Sequence, residues 1–371
     1  MPPQRRRMKP IYRLECQMSQ DFEERLLIAP HDVSPSAPDV QVEGVFNPGV
    51  VEREDGVHLL VRVAERPTET RPGWIALPSY DEAGSLRIDW IESAAVRLLN
   101  PRWVEDGRGY NHLLTVSHLR HAISRDGLTI DRVDPEPFLR PKAPYESFGV
   151  EDARLTSIVD RGGRPYFTYV AVSDRGIVTK LAWTDDFHTT ERLGVIFPPE
   201  NKDVVLFPRR IGEMFWALHR PYGANPVGRP EIWVAQSSDL IHWGGHDILR
   251  LSDDEGTFAR FGAGTPPVEV PEGWLAFVHA VRPASSAQGP GQYFVIAVLL
   301  DANCPSVVRS QSRRPLFEGN APESGRDDLG GVVFPTGCVI RGDDVLLYCG
   351  ERDSVTTVRR LHLPTVLASL R

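Results

Sequence analysis

Cysteine is scarce in this chain, and its spacing excludes the common cysteine-based sites. Cys16, Cys304, Cys338 and Cys349 are the only four among 371 residues. No two of them form a Cys-x-x-Cys pair or a spacing typical of metal ligands, so neither a zinc site nor a redox motif is indicated. A chain of this length can bury a sizeable core without disulfides, and we expect reduced cysteines in a cytoplasmic protein.

Long apolar segments and an excess of positive charge are also missing. The longest apolar run, residues 293–300, is far too short to cross a bilayer, and no apolar stretch of a secretory signal follows the arginines at positions 5–7. Basic side chains number 42 against 50 acidic ones, which makes the net charge −8. This balance argues against a nucleic acid or an anionic membrane as a partner.

Helical periodicity is rare, and a β-hairpin recurs instead. We expect only two short helices, one near each end, over residues 21–28 and 363–370. Each hairpin has a polar or proline-marked start, an apolar run, a turn and a second apolar run. The five copies are 46–51 with 57–62, 151–158 with 166–170, 202–207 with 214–219, 265–270 with 274–279, and 333–338 with 345–349.

Repetition with a period of about 50 residues predicts an all-β protein, a five-bladed β-propeller with short helical segments at its N- and C-terminal ends. We expect residues 1–43 to form an extension that packs on the propeller, and residues 44–371 to form a single propeller domain. An insertion over residues 67–111 enlarges the first blade. Cys338 and Cys349 lie symmetrically about the turn at 343–344, where two reduced core cysteines are favoured over a disulfide.

Charged and polar residues stand where the apolar strands of these hairpins begin or end. In a propeller such strand ends meet at one mouth of a central channel, where ligands usually bind. Ion pairs that close the channel, such as Asp203 with Arg220, are the alternative explanation. The candidate site residues are Asn47, Arg62, Glu151, Asp152, Lys202, Asp203, His219, Arg220, His279, Glu351 and Asp353.

Histidine pairs are the remaining candidates for metal binding, and they are weak ones. His118 and His121 are three residues apart, and His242 and His246 are four apart. Neither pair lies on a predicted helix with a third ligand, so we expect no metal site.

Six segments of the chain resemble motifs of glycoside hydrolase family 130, in the family's order, and the resemblance extends from about residue 26 to residue 370. The segments are Phe-Asn-Pro-Gly-Val-Val at 46–51, Gly-Val-Glu-Asp-Ala-Arg at 149–154, Asn-Lys-Asp-Val-Val-Leu-Phe-Pro at 201–208, Leu-His-Arg-Pro at 218–221, Gly-Ala-Gly-Thr-Pro-Pro at 262–267 and Val-Phe-Pro-Thr-Gly at 333–337. This family comprises mannoside phosphorylases and related mannosidases. The resemblance implies a five-bladed propeller and an enzyme that cleaves β-mannosides with inversion.

The resemblance also implies that Asp152 is the proton donor, because it occupies the aspartate of the family's Glu-Asp-Pro-Arg motif. Ala153 stands where proline is usual, which leaves the carboxyl group in place. A general acid must present a protonated carboxyl group beside the leaving oxygen. In the family's phosphorylases this proton is thought to pass through a sugar hydroxyl.

A phosphorylase differs from an inverting hydrolase in its nucleophile. The hydrolase needs a second carboxylate to activate water, whereas phosphate attacks by itself and needs a cationic pocket instead. By resemblance, phosphate is held by Lys202, Arg220 and His279. Mannose is held by Asn47, Arg62 and Asp353, with further substrate contacts expected from Glu151, Asp203 and His219. This set favours phosphorolysis of a β-mannosyl disaccharide to mannose 1-phosphate, with inorganic phosphate as co-substrate and no cofactor.

Two departures from the family pattern keep other functions open. Lys180 stands where many family phosphorylases carry arginine, and the stretch 350–353 reads Gly-Glu-Arg-Asp instead of Gly-Ala-Ala-Asp. Glu351 or Glu231 could then serve as the base of a β-mannosidase. A non-catalytic carbohydrate-binding propeller is a further alternative; an arabinanase-like or fructosidase-like enzyme is disfavoured by the basic residues. The sequence leaves open the linkage, the acceptor sugar and whether the chain forms a homo-oligomer.

Overall fold

The computed structural model of the chain describes residues 22–222, 228–253, 256–283, 291–320 and 331–370. Strands dominate these residues, and one α-helix, Leu363–Ser369, lies near the C-terminal end. Three short 3-10 helices complete the regular structure: Pro30–Asp32, Ser93–Ala95 and Val159–Arg161. None of the described helices is long and apolar enough to cross a membrane.

Apart from the strands of an insertion, the described strands form five antiparallel groups, which we call the first to fifth sheets in chain order. The first sheet contains Val40–Arg53, Gly56–Pro67, Val116–Ser124 and Arg132–Val133. The second contains Gly149–Ile158, Arg164–Ser173, Gly176–Trp183 and Glu191–Phe197. A single parallel pair, Gly149 with Ser117, joins these two sheets.

The third and fourth sheets follow the same plan. The third contains Asn201–Leu206, Phe215–Pro221, Trp233–Ser237 and Gly244–Ile248. The fourth contains Arg260–Ala263, Val268–Val270, Gly273–Arg282, Gln292–Leu300, Val308–Gln311 and Phe317–Glu318.

The fifth sheet combines the two ends of the described chain. It contains Val333–Arg341, Asp344–Glu351, Val355–His362 and, as its outer strand, Glu23–Ile28. The predicted N-terminal helix over residues 21–28 is therefore wrong. Glu23–Ile28 pairs antiparallel with Val355–His362, and this long-range backbone pairing overrides the weak local helical pattern. The predicted C-terminal helix is confirmed.

All five predicted hairpins are confirmed as paired strands, and each lies at the start of its sheet. In the fourth, the first strand is divided into Arg260–Ala263 and Val268–Val270, which both pair with Gly273–Arg282. The insertion in the first sheet consists of a hairpin and a small three-stranded sheet. Its strands are Trp74–Tyr80, Leu86–Glu92, Val96–Asn100, Trp103–Asp106 and Asn111–Leu113.

An aspartate turn follows the third strand of the first three sheets. Asp126, Asp186 and Asp239 each accept hydrogen bonds at Oδ1 from backbone N–H groups two and three residues ahead. This is the turn geometry that short acidic side chains favour. These three sheets therefore share the same turn at the same place.

The hydrophobic core lies between neighbouring sheets. Five apolar clusters each join two consecutive sheets, and one of them joins the fifth sheet to the first through Leu346, Tyr348, Leu59 and Val61. Burial of these side chains is the main force that holds the sheets together. Cys338 and Cys349 are free thiols, as expected; Cys349 is buried in the cluster between the fourth and fifth sheets.

Candidate active site

The first strand of each of the first three sheets is interrupted by a β-bulge at the same place. The register shifts after Phe46, Glu151 and Lys202, and the next residue in each case has a left-handed backbone. These residues are Asn47 (φ 51°), Asp152 (φ 50°) and Asp203 (φ 57°). Bulges re-aim side chains and often lie at functional sites, where strained backbone is maintained by the surrounding structure. The same β-bulge, repeated in three sheets, therefore sets the orientation of three predicted site residues.

The carboxylate of Asp152 is held by two donors on a neighbouring sheet. Asn47 Nδ2 donates to Asp152 Oδ1 at 2.9 Å, and Arg62 Nη1 lies 3.2 Å from the same oxygen. Arg154 Nη1 donates to the backbone carbonyl of Asp152 at 2.8 Å and so supports the bulge. The side chain of Asp152 is 16% exposed. The acid is thus fixed in place and still open to a ligand.

Arg62 links the two adjacent carboxylates of the Glu151–Asp152 pair. Its Nη2 lies 2.6 Å from Glu151 Oε1, its Nε donates to Ser117 Oγ at 3.0 Å, and its guanidinium lies over the ring of Phe46. Burial raises the pKa of Glu151, while the charge of Arg62 opposes that rise.

Asp203 forms a buried ion pair with Arg220, as the alternative explanation from the sequence anticipates. Arg220 Nε and Nη2 each lie 2.7 Å from Asp203 Oδ2. His279 Nε2 is 3.6 Å from the same oxygen, too long for a hydrogen bond. Burial alone would raise the pKa of Asp203, but the positive charge of Arg220 lowers it well below its usual range. Asp203 is therefore an anion that orients Arg220.

Lys202 is a cation without an ion-pair partner among the residues that the structure describes. It lies opposite Arg220 in the register of the third sheet, and the ring of Tyr222 lies 5.6 Å from its Nζ and 5.7 Å from the Arg220 guanidinium. Burial and the neighbouring charge of Arg220 lower the pKa of Lys202. Two adjacent cations, of which one is uncompensated, form a binding site for an anion.

His279 lies beside the Asp203–Arg220 ion pair and is almost fully buried. Burial lowers its pKa well below the usual range, so the imidazole is neutral at neutral pH. Its Nδ1 has no hydrogen-bond partner within the described part of the chain. Gly262 allows this close packing, because a Cβ there would lie 2.2 Å from Cε1 of His279 and 2.5 Å from Oδ2 of Asp203.

Asp353 approaches from the fifth sheet. It also has a left-handed backbone (φ 45°), and its Oδ2 lies 2.7 Å from Nη1 of Arg102. The charge of Asp353 helps to raise the pKa of Arg62 and of Glu151, so Asp353 belongs to the same cluster. The predicted residues that the structure brings together are Asn47, Arg62, Glu151, Asp152, Lys202, Asp203, Arg220, His279 and Asp353.

Three predicted residues have partners of their own. His219 stacks on Phe197 and hydrogen bonds with Asn201 and His246; burial lowers its pKa to about 3. Glu231 is paired with Arg229. Glu351 Oε1 lies 2.6 Å from Arg359 Nη1. In the described residues, no hydrogen bond or ion pair joins any of the three to Asp152 or Lys202.

Sequence reasoning missed three residues that shape the site. Arg154 connects the acid to the surroundings of His279: its Nη1 donates to the Asp152 carbonyl, its Nε donates to the Gly264 carbonyl at 2.7 Å, and its guanidinium lies over Phe334, whose ring is 4.5 Å from that of His279. Gly262 is a motif glycine with no assigned role, and Arg102 lies in the insertion. The family motifs contain Arg154 and Gly262 and could have indicated them, whereas no sequence signal marks Arg102.

Lys180 has a partner of its own, which bears on the first departure from the family pattern. Its Nζ lies 2.6 Å from an oxygen of Glu146, a fully buried carboxylate that also pairs with Arg192 and accepts a hydrogen bond from the Tyr169 hydroxyl. Lys180 therefore neutralises a buried acid of the second sheet.

Comparison with known proteins identifies relatives of this chain. A family model described as beta-1,4-mannooligosaccharide phosphorylase matches residues 94–371. The beta-1,2-mannobiose phosphorylase of Listeria innocua is 36% identical over 343 residues, which are 90% of this chain and 93% of that protein. The 1,2-beta-oligomannan phosphorylase of Thermoanaerobacter sp. is 33% identical over 258 residues, 68% of this chain and 80% of that protein.

Solved structures support the same relationship. The structure of the Listeria innocua beta-1,2-mannobiose phosphorylase in complex with beta-1,2-mannobiose matches with a TM-score of 0.83 and 34% identity, covering 93% of this chain and 96% of that chain. Both the sequence match and the structural match extend over nearly the whole chain. The chain belongs to glycoside hydrolase family 130.

Proposed function

We propose that this protein is an inverting β-mannoside phosphorylase that acts on a β-1,2-linked mannosyl disaccharide. Inorganic phosphate is the co-substrate, no cofactor is required, and inversion at the anomeric carbon makes the α anomer of mannose 1-phosphate. Family membership and the two relatives named for β-1,2-linked mannosides support the substrate class. The observation that carries the proposal is the uncompensated Lys202 beside Arg220, in the same cluster as the acid Asp152.

Mannose binding is assigned to Asn47, Arg62 and Asp353. Amide, guanidinium and carboxylate groups each form paired hydrogen bonds with adjacent sugar hydroxyls. Glu151 holds Arg62 in this role through its 2.6 Å contact. These groups place the anomeric carbon between the acid on one side and the cations on the other.

Phosphate binding is assigned to Lys202, Arg220 and His279. Lys202 supplies the uncompensated charge, and Asp203 orients Arg220 so that its remaining N–H groups face the anion. The neutral His279 can accept a hydrogen bond from hydrogenphosphate at Nδ1.

The reaction is a single displacement. Asp152 donates its proton to the glycosidic oxygen, directly or through a sugar hydroxyl, as the bond between that oxygen and the anomeric carbon breaks. A phosphate oxygen forms the new bond to the anomeric carbon from the opposite face, and the leaving sugar departs as an alcohol. Asp152 recovers a proton as hydrogenphosphate becomes a phosphate ester, so protons balance.

Phosphorolysis is favoured over hydrolysis because both glutamates considered as a hydrolytic base are engaged elsewhere. Glu231 is paired with Arg229, and Glu351 with Arg359. An inverting hydrolase needs a free carboxylate on the face opposite the acid, where water would be activated.

The architecture is assigned in the same way. We infer that the five sheets are the blades of a β-propeller, since apolar clusters join each sheet to the next and the fifth to the first. Residues 44–371 are assigned to the propeller and residues 1–43 to an N-terminal extension, of which Glu23–Ile28 adds the outer strand of the fifth sheet. A cytoplasmic location agrees with the free thiols of Cys304, Cys338 and Cys349.

The test uses the purified protein with β-1,2-mannobiose and, as the matched substrate, β-1,4-mannobiose, each with and without phosphate. We expect α-mannose 1-phosphate from β-1,2-mannobiose, detected by phosphorus NMR, only when phosphate is present. Free mannose in the absence of phosphate would instead identify a mannosidase. Sugar binding without turnover under either condition would identify a carbohydrate-binding protein.

A further inference from the structure

The insertion in the first sheet emerges at the same end of that sheet as the candidate site. The strands on either side of it, Gly56–Pro67 and Val116–Ser124, pair directly, from Val57 with Ser124 to Glu65 with Val116. The insertion therefore leaves and re-enters the sheet next to Glu65, three residues beyond Arg62. Its small three-stranded sheet is positioned to reach over the mannose-binding residues.

Arg102 lies in the turn between the first two strands of that small sheet, and the turn is firmly anchored. The Arg102 N–H donates to Asn100 Oδ1 at 2.8 Å, and the Leu114 N–H donates to the Arg102 carbonyl at 2.9 Å. Arg66 Nη2, on the first sheet, donates to the Pro101 carbonyl at 2.9 Å. These contacts hold Arg102 in one place, so its long side chain starts from a fixed point.

The guanidinium of Arg102 reaches the fifth sheet and pairs with Asp353. Its Nη1 is 2.7 Å from Asp353 Oδ2, and the two side chains are 30% and 27% exposed. The backbone of Asp353 packs closely against the first sheet, because a Cβ on Gly44 would lie 2.7 Å from the Asp353 carbonyl oxygen. The backbone of Asp353 is thus fixed by the first and fifth sheets, and its carboxylate is fixed by the insertion.

The excess of negative charge around Arg62 is a second reason why Asp353 needs Arg102 as a partner. Glu151, Asp152 and Asp353 surround Arg62, which leaves this side of the site with more negative than positive groups. Without Arg102, Asp353 would be repelled by the two other carboxylates and would turn toward water. Arg102 compensates this third carboxylate from the solvent side.

We propose that Arg102 is a positioning residue for Asp353 that sets the affinity of the site for the mannosyl substrate. This inference rests on the proposed function, since it takes Asp353 as a mannose-binding residue. The mannose site is then incomplete without the insertion, which gives residues 67–113 a role in substrate recognition.

The test is the variant Arg102→Met, which keeps the length of the side chain and removes its charge and hydrogen bonds. We expect the KM for β-1,2-mannobiose to rise about tenfold or more, the usual effect of losing a hydrogen bond to a charged group. The KM for phosphate should stay within about twofold, since Arg102 has no contact with the cation pair, and kcat should fall less than KM rises. Arg102→Lys should recover part of the loss because it restores the charge.

Arg97→Met is the matched control. Arg97 lies on the same small sheet, and its ion pair with Glu105 is on the surface, where the Arg97 side chain is 69% exposed. This variant should leave both KM values unchanged, and the same midpoint of thermal unfolding is expected for both variants. Equal effects of the two variants, or a mannobiose KM within about twofold of wild type for Arg102→Met, would overturn the inference.

The double variant Arg102→Met with Asp353→Asn tests whether the effect passes through Asp353. We expect it to be no weaker in mannobiose affinity than Asp353→Asn alone, whereas additive losses would contradict a positioning role. If wild-type protein has no phosphorolytic activity, the proposed function fails by itself. Calorimetric binding of mannobiose to wild type, Arg102→Met and Arg97→Met then decides the role of Arg102, with the same expected order.

Discussion

Arg62 and Arg359 are each held between two carboxylates, and their surroundings differ. Arg62 lies between Glu151 and Asp152, and all three side chains are 16–17% exposed. Arg359 lies 2.6 Å from Glu351 and 2.6 Å from Glu24, and it is 1% exposed. Both clusters contain the same chemical groups, so the groups alone do not define a site.

The backbone and the neighbouring side chains account for the difference. Asp152 stands on a strained bulge and faces a cluster of further polar groups, whereas Glu351 and Glu24 end or occupy regular strands. Arg359 is covered by the rings of Phe317 and Phe22, whose centroids lie 4.3 Å and 5.4 Å from its guanidinium carbon. The cluster around Arg62, which we call the open cluster, can therefore exchange a contact for a ligand. The cluster around Arg359, which we call the closed cluster, joins the outer strand Glu23–Ile28 to the rest of the fifth sheet.

The largest expected effect is on turnover, at the open cluster. Asp152→Asn keeps the shape of the side chain and the contact with Asn47 but removes the acidic proton, so kcat for phosphorolysis should fall about 10²- to 10⁴-fold. Thermal unfolding should be nearly unchanged because the site is partly exposed. Activity within about tenfold of wild type would exclude Asp152 as the general acid.

Substitutions in the closed cluster should lower the free energy of unfolding instead of turnover. Arg359→Met leaves two carboxylates, one of them fully buried, without their cation, and the free energy of unfolding should fall by about 3 to 5 kcal/mol. Arg360→Met is the matched control, since Arg360 is the next residue and pairs with Asp344 on the surface. Its loss should be below about 1 kcal/mol in the same urea titration. Similar losses for both variants would show that the buried pair has no special role.

The sequence predicts those residues of the two clusters that occupy the same position in the repeated hairpins. Asn47, Asp152 and Asp203 occupy the same position of three repeated hairpins, so alignment of the repeats finds them. Glu351 occupies the matching strand end of the fifth hairpin, which made it a candidate base. Its true environment depends on Arg359 and on the N-terminal strand, whose pairing partner lies more than 300 residues away and leaves no local signal.

Pairing at that distance also explains the incorrect helix prediction. Residues 21–28 have a weak helical pattern, and only the open edge of Val355–His362 turns them into a strand. Arg102 was missed for a related reason, since its contact with Asp353 joins an insertion, which has no counterpart in the other repeats, to the last sheet. Positions that recur in the hairpins were predictable from the sequence, and the long-range contacts of Arg102 and of the N-terminal strand were not.

The pH dependence of stability gives a smaller effect at the closed cluster. Burial raises the pKa of Glu351 to about 7, above its usual 4.5, so the folded protein binds this proton more tightly than the unfolded chain. The contribution of this group to the free energy of unfolding is therefore full below its unfolded pKa and declines as pH rises through about 7. Glu351→Gln cannot titrate, so its stability relative to wild type should rise by about 1 to 3 kcal/mol between about pH 5 and pH 8. A constant difference between the two proteins across this range would contradict a raised pKa.

The smallest effect is expected at the open cluster, in the pH dependence of phosphate binding. Burial and Arg220 lower the pKa of Lys202, so this cation loses its proton at a lower pH than an exposed lysine. As pH rises above about 8, where phosphate is already a dianion, the KM for phosphate should begin to rise at a lower pH than it would with an exposed lysine, by less than about tenfold per pH unit. Lys202→Arg retains its charge over this range, so its KM for phosphate, although higher at pH 8 because the geometry differs, should be nearly flat. If the KM for phosphate changes with pH in the same way in wild type and in Lys202→Arg, another group causes the pH dependence. If the KM stays flat only in Lys202→Arg, phosphate binding requires the charge of Lys202.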